Sequence, residues 1–409
     1  MRMHRAPPEL VVGLFLGILC LFLGCSDTDR GTTPSEETVL KIGTLFPLSG
    51  SLSTFGPSQQ RAVQLALDHI HSTGGVLGNK VVMEQRDSGT DSTRALPVAR
   101  VLIEEDGITA LVGPDASRVT LAVCAITVPN QVILISPAST SPMLTEYEDH
   151  GFLWRTCASD AAQGAFMAEQ AYALGFQTAS ILYQDNVYGQ GIHDAFEAAF
   201  SRLGGTILQS VPFNVDQSSH ILELNALFAQ PPDVVVLATF VNNARIILKE
   251  AKGLSLRSHW ILSEAMYQES LFSVGDVAEG VYVVSVSSEG VQRSFVDLFR
   301  AEYNGEVPLT FSAQTYDAVM LLALAAEKAG ETSGRALRDA LQTVSAPPGE
   351  RIGIGPDEFK RAVQLLRSGQ DINYEGASGP IDFDEQGDVT ATSYQLWQVQ
   401  GSTFVEVGP

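Results

Sequence analysis

Cysteine and histidine are scarce in this sequence, and basic residues are outnumbered by acidic ones almost two to one. Among 409 residues there are four Cys, seven His, 25 Lys and Arg, and 47 Asp and Glu. A net charge of −22 repels phosphate backbones and anionic headgroups, so nucleic acid is not an expected partner. The chain has no HExxH zinc motif, no GxSxG nucleophile turn and no GxxxxGK[ST] phosphate loop. His69 and His71 stand two apart on a predicted helix and cannot share a face. Gly189-Gln190-Gly191 lacks the third glycine of a dinucleotide fingerprint. No Cys lies in a CxxC or beside a His, so neither a metal site nor a cofactor is expected. These absences point away from catalysis and toward binding.

Long apolar runs are also few. The longest, Leu10 to Gly24, follows Arg2 and Arg5 and is short for a membrane span, which needs about 20 apolar residues. Its length suits the h-region of a signal peptide. It closes on Leu23-Gly24-Cys25-Ser26, which resembles the lipobox of bacterial lipoproteins. That resemblance implies cleavage after residue 24, lipidation of Cys25 and attachment to a bacterial membrane on the periplasmic side, with the outer membrane somewhat favoured by Ser26. An uncleaved anchor or plain secretion is the alternative. Residues 25–38 are polar and read as a flexible tether. Cys124 and Cys157 then remain, either as a disulfide or as two buried small hydrophobes.

What the body of the chain does contain is alternation. With 45% hydrophobic and 18% charged residues it is globular, and its length favours two lobes. Apolar β-branched runs at Val39–Leu45, Val81–Arg86, Thr109–Val112 and Val132–Ile135 are separated by helical patterns at Pro57–His71, Thr93–Glu104 and Ser117–Val128. A second series follows, with strands at Thr178–Tyr183, Thr206–Phe213, Asp233–Leu237 and Trp260–Leu262 and helices at Asp160–Leu174, Gly189–Leu203, Ser219–Phe228 and Asn242–Lys252. Strands apolar throughout predict parallel sheets covered on both faces. The fold class is therefore α/β, with two doubly wound parallel-sheet lobes. Beyond Val291 the pattern is mostly helical, at Val291–Tyr303, Ser312–Ala329, Gly334–Thr343 and Pro356–Leu366, and is expected to complete those two lobes. Strands are predicted again at Pro380–Phe383 and Tyr394–Val399, and Asp382, Asp384 and Glu385 read as a solvated turn.

Ligands of open parallel sheets sit outside the carboxyl ends of the strands. The segments there are Pro47–Gly56, GPDAS ending at Ser117, SPASTSP after Ile135, QDNVYG after Tyr183, ATFVNN after Leu237 and SEAMY after Leu262. Each is short, small or polar, and several carry an aromatic.

The order and spacing of GTLFPLSGSLSTFG, GGVLGNKV, LVGPDAS, ISPASTSP, RTCASDAAQG, LYQDNVYGQG and YEGASGPIDFDEQGD resemble the type I periplasmic substrate-binding proteins of ABC transporters, in the leucine/isoleucine/valine-binding group. The resemblance runs from about Leu40 to Val399. It implies two lobes joined by a three-segment hinge, with crossings near Cys157–Ser159, Ser287-Ser288 and Thr392–Gln395. Lobe 1 would comprise residues 39–158 and 288–392, and lobe 2 residues 159–287 and 393–409. It also implies roles for single residues. Ser117 and Thr140, with the backbone around Ala138 and Ser139, would hold a ligand α-carboxylate, a role that a hydroxyl and free N–H groups suit. Asp160 and Glu264 would take the ammonium group. Tyr188 would pack on the ligand, and Phe55 and Phe240 would line its side chain where the family often has Tyr. The implied partners are a small amino acid or analogue and ABC permease subunits.

Each role has a structural alternative. Ser117 or Asp160 can be a helix cap, Ser139 and Thr140 turn residues, Glu264 an exposed loop acid, and Tyr188, Phe55 and Phe240 core aromatics. The same closing lobes can also serve a sensor that reports to a signalling partner.

Overall fold

The computed structural model describes residues 39–286, 293–390 and 393–408. Cys25, the tether, Ser287, Ser288 and Thr392 lie outside the described residues.

The first series forms β1 (Lys41–Phe46), α1 (Gly56–Ser72), β2 (Val82–Asp87), α2 (Ser92–Glu104), β3 (Ala110–Val112), α3 (Ser117–Thr127), β4 (Ile133–Ser136) and β5 (Leu153–Arg155). These strands make one all-parallel sheet in the order β2-β1-β3-β4-β5. β3 and β4 are buried along their whole length, as their unbroken apolar sequences require.

The second series forms α4 (Asp160–Ala173), β6 (Thr178–Gln184), α5 (Val187–Arg202), β7 (Thr206–Phe213), α6 (Ile221–Leu227), β8 (Val234–Ala238), α7 (Val241–Gly253), β9 (His259–Leu262) and β10 (Tyr282–Val286). The chain then supplies α8 (Arg293–Glu302), α9 (Ser312–Ala329), α10 (Gly334–Ser345), β11 (Glu350–Ile352), α11 (Pro356–Arg367), β12 (Ile372–Gly376) and β13 (Gly379–Pro380) to the first lobe. α9 is buried from Ser312 to Glu327 and shares one core with α1, β1, β3 and β4. The closing strands β14 (Tyr394–Gln400) and β15 (Thr403–Glu406) return to the second sheet, whose order is β15-β14-β10-β9-β8-β6-β7.

The second sheet departs from an all-parallel expectation. β14 pairs antiparallel with β10, and β15 antiparallel with β14. The chain arrives there from the other lobe, at a free edge, and an edge strand needs no crossover helix to run antiparallel. The turn expected to be solvated is only partly so: Glu385 is exposed, while Asp382 and Asp384 are half-buried and Asp382 Oδ1 is buried without a partner, and the segment leads into Asp388, whose carboxylate bonds Arg155. Neither cysteine is in a disulfide. Cys124 and Cys157 are both free and buried, and burial pushes both thiols well up.

In each sheet the strand order reverses at one place, between β1 and β3 in the first and between β6 and β8 in the second. A crevice opens at such a switch point because the helices leave on opposite faces. The segments after these four strands therefore line facing crevices.

One contact fixes the loop after β4. Arg155, at the end of β5, is fully buried. Its Nε donates to Asp388 Oδ1 at 2.6 Å, and Nη2 donates to Asp388 Oδ2 and to Thr145 Oγ1. Nη1 donates to the Ser141 carbonyl at 2.9 Å and to that of Ser139 at 3.4 Å. Arg155→Ala takes the countercharge from Asp388, leaving it the Thr145 hydroxyl, and removes the side-chain donor of the buried Ser141 carbonyl. We expect it to cost about 3–5 kcal/mol in urea unfolding. Arg155→Lys should recover less than half of this, since one ammonium cannot span both sides.

Candidate ligand-binding site

A small cavity, with room of about 20 Å³, lies between the two switch points. Leu52, Phe55, Asp115, Ala116, Ser117, Ala138 and Phe311 line it from the first lobe; Tyr188, Phe240, Glu264 and Ala265 line it from the second. Six of the nine sequence-predicted ligand residues are here: Phe55, Ser117, Ala138, Tyr188, Phe240 and Glu264. The other three, Ser139, Thr140 and Asp160, are buried but do not line the cavity.

The first wall is a set of donors. The cap of α3 is Ala116, with no side-chain capping bond, so Ser117 is the first helical residue rather than a cap. Its Oγ accepts the Ser141 N–H at 3.2 Å, which leaves the hydroxyl proton to donate elsewhere. The Ser117 N–H belongs to the first turn, where helix geometry supplies no acceptor. In the loop after β4 the Ser139 N–H is taken by Ser136 Oγ at 3.0 Å, and the Ser139 hydroxyl by the carbonyls of Pro114 and Asp115. Ser139 is thus a loop-fixing residue. The Thr140 N–H has no hydrogen-bond partner among the described residues.

The second wall is acidic. Asn186 caps α5 by accepting from Tyr188 and Gly189, so the helix begins two residues before the predicted Gly189 and holds Tyr188 in its first turn. Tyr188 stacks on Phe240 with ring centroids 5.3 Å apart. Each follows a strand flanking the second switch point. The Tyr188 hydroxyl lies 2.8 Å from Ser263 Oγ and 3.3 Å from both Glu264 oxygens. Glu264 is buried rather than an exposed loop acid, and burial pushes its carboxyl up to about 7.

Asp160 stands behind Glu264. Ser159 caps α4, which frees the Asp160 side chain from that task. Its Oδ2 accepts from Thr140 Oγ1 at 2.8 Å, and its N–H donates to the Thr140 carbonyl at 2.7 Å. Gln163 links the two acids, donating to Asp160 Oδ1 and accepting from the Glu264 N–H, both at 3.1 Å. Burial, and then the Glu264 charge, raise the Asp160 carboxyl well above the usual range, while the Thr140 bond and Arg155 oppose this.

The lobes also meet beside the cavity. Ser141 Oγ donates to the Val187 carbonyl at 2.7 Å. A Cβ on Gly191 of α5 would lie 2.5 Å from Pro142 Cδ, so only glycine permits this approach.

Sequence reading did not single out Leu52, Asp115, Ala116, Ala265, Phe311 or Gln163. Asp115 and Gln163 sit inside quoted motifs, where the signal was present. Phe311 adopts a left-handed backbone (φ 70°) just before α9 and carries no local signal.

Two measurements check this geometry. A group whose folded pKa is raised is destabilising once pH exceeds its unfolded value, and the penalty is complete above the folded value. Glu264→Gln removes that penalty. The ligand-free variant should therefore gain stability over the parent by roughly 2–3 kcal/mol more at pH 8 than at pH 4, read by urea unfolding at both. Gly191→Val should hold the lobes apart. It should weaken ligand binding at least about tenfold, read by calorimetry on a variant that keeps a cooperative melting transition.

Comparison with known proteins agrees with the architecture. The periplasmic binding protein family model matches residues 39–403. The chemotactic signal transduction system substrate-binding protein BasB of Halobacterium salinarum is 31% identical over 351 residues, covering 83% of this chain and 82% of that one. The Leu/Ile/Val-binding protein BraC3 of Rhizobium johnstonii is 24% identical over 91% of this chain and 95% of its own. Among solved structures, the leucine-binding protein LivK of Thermotoga maritima superposes with a TM-score of 0.77 at 24% identity, over 90% of this chain and 98% of its own. The chain belongs to the periplasmic binding protein family, in the type I form whose members similar to it include Leu/Ile/Val-binding proteins.

Proposed function

We propose that the chain is the substrate-binding component of an ABC importer and captures a small amino acid, aliphatic or branched-chain on the sequence reading, between its two lobes outside the cytoplasmic membrane. One observation carries this reading: the cavity between the lobes is lined by Ser117 on one wall and by buried Glu264 on the other. An α-carboxylate suits the Ser117 hydroxyl and N–H at the start of α3. An α-ammonium suits Glu264, with the Tyr188 hydroxyl beside it and Asp160 and Gln163 behind. Bringing that cation in also relieves the cost of a buried carboxylate. Phe55, Phe240 and Phe311 take the side chain. The Leu/Ile/Val-binding relatives support the same ligand class.

A ligand touching both walls stabilises the closed form by its differential affinity for that form. The permease would read the closed form, and a lipid on Cys25 would keep it near the membrane. A second reading has one observation in its favour, the 31% identical halobacterial relative with a chemotactic role. Deleting the gene separates the two. Lost uptake of the labelled ligand marks transport; intact uptake with lost taxis marks sensing.

The binding reading is checked by thermal shift of the purified protein against amino acids and their deaminated acids. A ligand at 100 times its Kd adds about 2.7 kcal/mol, a rise of several degrees. The expected outcome is a rise with at least one amino acid, none with the matching carboxylic acid, and loss of the response in Glu264→Ala. An equal rise with the deaminated acid would remove the ammonium roles.

A further inference from the structure

Placing an α-amino acid in the cavity leaves one carboxylate unused. Asp115 lines the first wall, on the opposite lobe from Glu264. Its backbone is fixed, since the carbonyl accepts from Ser139 Oγ at 2.9 Å. Its side chain is buried. Oδ1 accepts from Gln59 Nε2 at 3.2 Å, and Oδ2 has no hydrogen-bond partner. Gln59 Oε1 has none either. Turning the Gln59 amide over does not repair this, because a protonated Asp115 would then satisfy one oxygen and strand the amide N–H groups. Burial pushes the Asp115 carboxyl up to about 7, with only the Gln59 bond opposing it.

The location of this acceptor is informative. Gln59 lies one turn along α1 from Phe55, and Phe55 packs edge-on against Phe311 at 5.7 Å. Asp115 therefore belongs to the aromatic end of the cavity, with Leu52, Phe55 and Phe311, where the ligand's side chain goes. A buried acceptor among apolar groups is costly until a donor arrives, and no described protein group supplies one.

We infer that Asp115 determines specificity by accepting a hydrogen bond from the ligand's side chain, so that the preferred ligand is a short α-amino acid carrying a hydroxyl, amide N–H or ammonium donor. This rests on the amino-acid reading above and replaces a purely aliphatic side chain by one with a donor.

Calorimetric Kd values for three shape-matched pairs test it: valine and threonine, leucine and asparagine, norvaline and 2,4-diaminobutyrate. Within each pair only the donor changes, and the pair that responds identifies its chemistry. We expect the donor-bearing member of at least one pair to bind at least tenfold tighter. Asp115→Leu should abolish or reverse that preference while alanine still binds. A tighter aliphatic member in all three pairs overturns the inference, and so does an unchanged ratio in Asp115→Leu. If that variant does not fold, Asp115→Asn replaces it. The amide keeps one acceptor but no charge, so the donor preference of the responding pair should fall severalfold, and an unchanged ratio in that pair overturns the assignment. Alanine binding with aliphatic preference sinks only the role of Asp115. Failure of every α-amino acid, alanine included, sinks the amino-acid reading and this inference with it.

Discussion

The buried guanidinium of Arg155 is the constraint on which the site's first wall depends. A charge that deep is tolerable only if every donor is used. Arg155 meets the condition by gripping Asp388, more than two hundred residues away in sequence, and the carbonyls of Ser139 and Ser141. Those carbonyls belong to the loop that carries Thr140 and receives the Ser117 oxygen. Those two bonds hold the loop from the Arg155 side. The same ion pair ties the late segment carrying Asp388 to β5 within the first lobe. One cation thus fixes both the loop and the late segment beside it.

The second wall follows the opposite logic. Glu264 and Asp160 are buried together, and Gln163 and Thr140 supply hydrogen bonds rather than charge. Among the described residues no Lys or Arg lines the cavity. Burial lifts both carboxyls toward neutrality. On the proposed reading, a cation entering the cavity would restore the balance.

Much of this was legible in the sequence, for reasons that can be named. Continuous apolar runs such as Val234–Leu237 admit little besides a doubly covered strand, and the small, polar segments after them marked the strand ends. Short strands were the weak point. β5, β11 and β12 lack periodicity over their three to five residues, and β10 was hidden in a mixed stretch. Residues that line the cavity were legible where chemistry and position coincide, as at Ser117 and Glu264. Asp115 was read past, because an acid in a Gly-Pro-Asp turn is commonly a turn residue. Its burial comes from α1 and from the left-handed Phe311, both distant in sequence. The roles of Thr140 and Ser139 needed hydrogen-bond directions, which no pattern of residue types encodes.

The way the two sheets are threaded bears on how the molecule comes into being. Lobe 1 lacks its central helix α9 until more than three quarters of the chain has been made, and lobe 2 lacks the strands that cover its β10 edge until the very end. Neither half can mature while the ribosome is still at work on the other. The interleaving that makes the cleft mobile also keeps the nascent polypeptide from settling early into a finished body.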